Sequence, residues 1–230
     1  MDKITKKNMF HLLTALSFLL CSLLLFSCDQ QQAQPKTEEL STTPLYDGTI
    51  IAVGDSLTAG QGVVEEESWP ALIGKKLEND GHRWQVINAG VSGETSSGTL
   101  SRIKWIVAQQ PAVVILETGA NDGFRGIPPA VIRKNINNAV QILQESNITV
   151  ILAGMQIVQN LGEEYAREFA AIYPSVAHER DCLLIPFILQ QVAGEPALNQ
   201  TDTIHPNEDG HTIITETAYP FVVRAIQALQ

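Results

Sequence analysis

Ile50 to Gly60, IIAVGDSLTAG, constrains this chain more than any other stretch. Ile50, Ile51, Ala52 and Val53 form an apolar, largely β-branched run of the kind found in strands covered on both faces, and Gly54 ends it by opening a polar turn that closes at Gly60. Strands of that kind belong to parallel sheets flanked by helices, whose ligands gather at the strands' carboxyl ends. Ser56 falls at such an end. Taken alone it reads best as a helix N-cap, although a serine fixed on a rigid strand tip can also serve as a nucleophile.

The rest of the chain extends the same pattern. Strand-like runs at Trp84 to Ala89, Ala112 to Glu117, Thr149 to Ala153 and Leu183 to Pro186 follow the first at Thr49 to Val53. Between them, helical spacing of apolar residues predicts helices over Trp69 to Asn79 (capped by Ser68), Thr95 to Gln109, Pro129 to Gln144, Glu163 to His178 and finally Glu208 to Leu229. Pro174 and Pro220 predict a kink or break in the last two. This alternation means βαβ units and an α/β protein with a five-stranded parallel sheet.

The first 44 residues depart from that pattern. Lys3, Lys6 and Lys7 precede an apolar stretch from Met9 to Phe26, as in a secretory leader, and a membrane anchor helix is the structural alternative. Leu25-Phe26-Ser27-Cys28 resembles the lipobox of bacterial lipoproteins, which implies a signal peptide over 1–27, a lipidated Cys28 and a site in the bacterial cell envelope. Residues 28–44, rich in Gln, Thr and Glu, read as a flexible tether, leaving 45–230 as one folded domain. Without the leader's three lysines and one aspartate, the formal charge of −10 becomes 12 basic against 24 acidic residues, which argues against nucleic acid as a partner. Cys182 is then left alone in an apolar run, with no zinc-like spacing of Cys and His anywhere.

Three further motifs fall where strands end. Asn88 to Ser96 (NAGVSGETS) is a glycine-rich turn into a helix, able to present backbone N–H groups to an anion, or simply a capped loop. Gly119 to Gly123 (GANDG) follows the most apolar strand, where Asn121 is either a turn residue or a fixed amide donor; Asp122 reads as a turn or cap residue that could also ionise. Asp202-Thr203-Ile204-His205 places a carboxylate three residues ahead of an imidazole, a spacing that lets it accept from Nδ1 and leave Nε2 free as a base. One sheet edge would therefore collect all of these groups.

GDSLTAG, NAGVSGETSSG, GANDG and DTIHPN, in that order, resemble the four blocks of the SGNH hydrolases, the GDSL esterase and lipase family. ETGANDGFRG and EFAAIYP are similar to its branch of secreted acyl-thioesterases, lysophospholipases and arylesterases. The resemblance implies a flavodoxin-like three-layer α/β/α sandwich and hydrolysis without metal or cofactor. It implies Ser56 as nucleophile, His205 and Asp202 as the other triad members, and Ser56, Gly93 and Asn121 as oxyanion donors. The expected substrate is a small acyl ester or thioester, possibilities that include lysophospholipid, and the expected contact with membrane is through the lipid anchor. No Gly-x-Ser-x-Gly elbow surrounds Ser56, which argues against an α/β-hydrolase. The loops 155–162 and 123–129 are expected to border the acyl pocket; the first lacks the Asn-Tyr-Gly ending common in that branch. A carbohydrate O-deacetylase of the same fold and a non-catalytic ligand-binding lipoprotein are the competing readings.

Overall fold

A computed structural model describes residues 46–157 and 161–229. The expected leader, Cys28 and the tether lie outside the described residues. No helix among the described residues is long and apolar enough to cross a membrane.

Five parallel strands form one sheet in the order β2-β1-β3-β4-β5: β1 Gly48–Gly54, β2 Trp84–Gly90, β3 Val113–Glu117, β4 Thr149–Ala153 and β5 Leu183–Ile185. Strand β3 is buried throughout and β4 nearly so, whereas the edge strand β2 alternates between buried and exposed positions at its start. That difference is why continuous apolar runs marked the central strands.

Among the described residues seven α-helices accompany them, the last after β5: α1 Ser56–Ala59, α2 Trp69–Asn79, α3 Ser96–Ala108, α4 Ala120–Phe124, α5 Pro129–Glu145, α6 Glu163–Arg180 and α7 Glu208–Gln227. The crossover from β1 to β2 runs one way along the sheet and that from β2 to β3 runs back, so right-handed connections place their helices on opposite faces. Accordingly α2 packs with α7, while α3, α5 and α6 pack side by side, giving the three-layer α/β/α architecture that the motifs implied. The reversal leaves a topological switch point between the carboxyl ends of β1 and β3, where an open α/β sheet offers its cleft.

The Ser68 cap is not formed, and of the kink or break expected at Pro174 and Pro220 the break does not occur. Neither Pro174 nor Pro220 ends its helix: α6 and α7 each run on as one element. Phe169, Tyr173 and Val176 around the first proline, and Ala218, Tyr219 and Val222 around the second, are buried in the core. Packing of those faces offsets the roughly 3 kcal/mol that an interior proline costs. Ser68 stands at the start of α2 but makes no side-chain cap; its hydroxyl donates instead to the Glu65 carbonyl at 2.7 Å. The Trp69 N–H at that helix start donates to Nδ1 of His211, 3.2 Å away on α7.

Candidate active site

Asp55, not Ser56, caps α1. The Asp55 carboxylate accepts from the Leu57 N–H at 3.0 Å, which corrects the N-cap reading of the serine and leaves its hydroxyl free of local backbone. Strand β1 thus delivers Ser56 to the switch point as the first residue of a single helical turn, with Gly60 closing that turn in the left-handed region at φ 75°. Gly54 has no room for a side chain, because a Cβ there would collide with Thr58 and with the Glu117 carboxyl.

Across 149 positions of chain, Ser56 Oγ lies 2.9 Å from Nε2 of His205. The imidazole stands in a loop drawn tight by an antiparallel bridge between Asn199 and Pro206, with Thr203 at φ 61°. The Gln200 amide fastens this loop to the chain just after α1 by donating to the Gln61 carbonyl at 2.6 Å, and braces the loop itself by donating to the Pro206 carbonyl at 2.9 Å. Asp202 completes the relay: its Oδ2 is 2.6 Å from His205 Nδ1, and its Oδ1 accepts the N–H groups of Ile204 and His205. The backbone and ring bonds from His205, with that from Ile204, pull the Asp202 carboxyl down to about 2. An ionised Asp202 can only accept, so Nδ1 carries the ring proton and Nε2 presents its lone pair to the serine hydroxyl.

The two other expected donors sit at the same edge. Asn121 on α4 follows β3, and its amide donates to Asp55 Oδ2 at 3.0 Å, leaving its second N–H free of that bond. Gly93, at φ 78°, lies on the β2–α3 loop, which is tied to β1 by a 2.9 Å bond from the Val91 N–H to the Gly54 carbonyl. Arg125 bridges the two loops by donating to the Gly93 carbonyl at 3.0 Å. Asp122 is neither a turn nor a cap residue but lies within α4; buried, it accepts the N–H and hydroxyl of Ser96, both at 2.7 Å, and so ties down the start of α3, whose own N-cap is Thr95.

Two buried groups went unassigned in the sequence. Glu117, the last residue of β3, accepts the Asp55 N–H at 3.1 Å and the Thr58 hydroxyl at 2.9 Å on one oxygen, while burial and the Asp55 charge push its carboxyl well above the usual range. An acid closing the most apolar strand was the available signal. His211 is buried and has its imidazole pushed down to about 4, chiefly by desolvation. Cys182 is half-buried, its thiol pushed up to about 11 by burial. Among the described residues no three His, Cys, Asp or Glu side chains gather as a metal site requires.

Beside Ser56 and His205 opens a cavity of about 200 Å³, with Leu57, Ala120, Phe124, Met155, Leu189 and Ile204 among its walls. Phe124, Met155 and Gln156 come from the two segments expected to border the acyl pocket; residues 158–160 of the 155–162 segment lie outside the described residues.

Known proteins resemble this chain over most of its length. Esterase TesA of Pseudomonas aeruginosa is 36% identical over 173 residues, covering 75% of this chain and 86% of that protein. Thioesterase 1/protease 1/lysophospholipase L1 of Escherichia coli is 36% identical over 169 residues, 73% of this chain and 80% of that one. The crystal structure of a psychrotrophic esterase, EstA from Pseudoalteromonas, inhibited by monoethylphosphonate, superposes with a TM-score of 0.75 at 32% identity over 79% of this chain and 100% of that one. Residues 52–213 match the GDSL-like lipase/acylhydrolase family, and the chain belongs to that family.

Proposed function

We propose that this protein is a serine esterase that cleaves carboxylic ester or thioester bonds through an acyl-enzyme. The observation that carries the reading is the run of contacts from Ser56 through His205 to Asp202. In this mechanism Nε2 of His205 takes the Ser56 proton as Oγ attacks the acyl carbonyl, and the ionised Asp202 stabilises the imidazolium that forms. The Asn121 amide and the N–H groups of Ser56 and Gly93 receive the tetrahedral oxyanion. His205 then protonates the leaving alcohol or thiol, and water, activated by the same imidazole, releases the acid.

The cavity's size bears on the acyl group. About 200 Å³ is below the roughly 300–1,000 Å³ of pockets that enclose drug-sized ligands, and its walls are mainly apolar. A short acyl chain fits, with the alcohol or thiol portion directed to solvent. A series of p-nitrophenyl esters tests both points: acetyl to hexanoyl esters are expected to turn over faster than palmitoyl, and Ser56→Ala to abolish turnover. Equal rates for acetyl and palmitoyl would remove the chain-length reading, and an undiminished Ser56→Ala protein would remove the mechanism. We also place the protein at the bacterial envelope through a lipid on Cys28, a reading supported by the Leu25 to Cys28 sequence. The mature N-terminus by mass spectrometry is expected to be an acylated Cys28.

A further inference from the structure

Two carboxyl groups, Asp55 and Glu117, lie together beneath the turn that carries Ser56, each about 1% exposed. Neither has a cationic partner among the described residues. Arg102 approaches from α3, but its guanidinium is held by Glu94 in two 2.7 Å bonds and reaches no further than the Gly54 carbonyl. The other groups facing the pair are Asp122 from α4, already bonded to Ser96, His205, whose ring is taken by Asp202 and Ser56, and Tyr173 from α6, whose hydroxyl donates to the Thr118 carbonyl. Two buried like charges with no counter-ion cannot both persist, so one proton stays with the pair.

The hydrogen bonds decide which group holds it. Both Asp55 oxygens accept, one from the Leu57 N–H and one from the Asn121 amide, a pattern that favours the carboxylate. Glu117 accepts on Oε2 alone, and its Oε1 is buried without a partner among the described residues. We propose that Glu117 is a positioning residue: a neutral carboxylic acid under the turn that allows Asp55 to remain ionised and, through it, holds the Asn121 amide where an oxyanion would form. Desolvation and the neighbouring Asp55 charge act on Glu117 in the direction this requires. Glu117 touches no substrate. It acts on the Asp55 backbone N–H and side-chain charge, one residue before Ser56.

The positioning role rests on the esterase reading, whereas the protonation state does not, and the test separates them. Infrared difference spectra between wild type and E117Q at pH 8, where exposed carboxyls are ionised, are expected to contain the carbonyl band of a buried protonated acid in wild type and to lose it in E117Q. No such band, or one that survives in E117Q, overturns the proposal whether or not the protein hydrolyses esters. With p-nitrophenyl acetate, E117A is expected to lose about ten- to a hundredfold in kcat with little change in KM, and E117Q, which reproduces a neutral acid's shape and keeps an oxygen to accept the Asp55 N–H and the Thr58 hydroxyl, to restore most of it. E117Q as impaired as E117A, or E117A with unchanged kcat, contradicts the role. If E117A does not fold, the E117Q spectrum and kcat still decide it, because an ionised Glu117 would make that variant the damaging one.

Discussion

Acidification should weaken the fold through His211. The unfolded imidazole titrates near 6.5 and the folded one near 4, so between those values the unfolded chain binds the extra proton. A base with a depressed folded pKa contributes stability that is fully present above 6.5 and is lost as pH falls toward 4. At about 1.4 kcal/mol per pH unit the loss is about 3 kcal/mol. With a urea slope of about 3 kcal/mol per molar for a protein of this size, the unfolding midpoint moves by about 1 M. Buried Glu117 and Asp55, both raised, act with the opposite sign, so wild type alone cannot isolate the histidine. The comparison is with His211→Gln, whose side-chain oxygen can still accept the Trp69 N–H. Urea unfolding of both proteins at pH 7.5 and pH 4 should show the variant less stable at the higher pH and the gap narrowed by about 3 kcal/mol at the lower. A gap that does not change with pH would refute the assignment of His211 as a buried neutral acceptor.

Other outcomes follow from the site. Asn121→Ala should reduce kcat for p-nitrophenyl acetate by about a hundred- to a thousandfold while leaving the unfolding midpoint near that of wild type. Asp202→Asn should keep the fold but lower kcat by up to about ten-thousandfold, the loss expected when the imidazole takes the wrong tautomer; stopped-flow or single-turnover assays measure it. Gly119→Ala should destabilise by about 2–4 kcal/mol, since φ is 112° and a Cβ would stand 2.6 Å from the Tyr173 hydroxyl; thermal unfolding about 5–15 °C lower would report it.

Strand positions and the four loop motifs were legible because each rests on a local rule. A β-branched run buried on both faces reads the same in any such sheet, and strand ends at a switch point bring distant loops to one edge whatever lies between. Asp55, Glu117 and His211 were not legible in their roles because each depends on a partner supplied by another element. Asp55 was passed over for Ser56 at the cap, although both residues suit that position. Glu117 completed an apolar strand pattern without revealing that the Ser56 turn would lie against it. His211 caps a helix that begins 142 residues earlier. At Pro174 and Pro220 the opposite holds, since no break occurs there and a sound local rule loses to burial of the surrounding face.

The most direct test of the central claim is the site of modification by an organophosphonate that traps activated serines, read by intact mass and peptide mapping. A single adduct on Ser56, absent in Ser56→Ala and formed far more slowly in His205→Ala, is the expected result. An adduct on another residue, or modification at the same rate without His205, would contradict it.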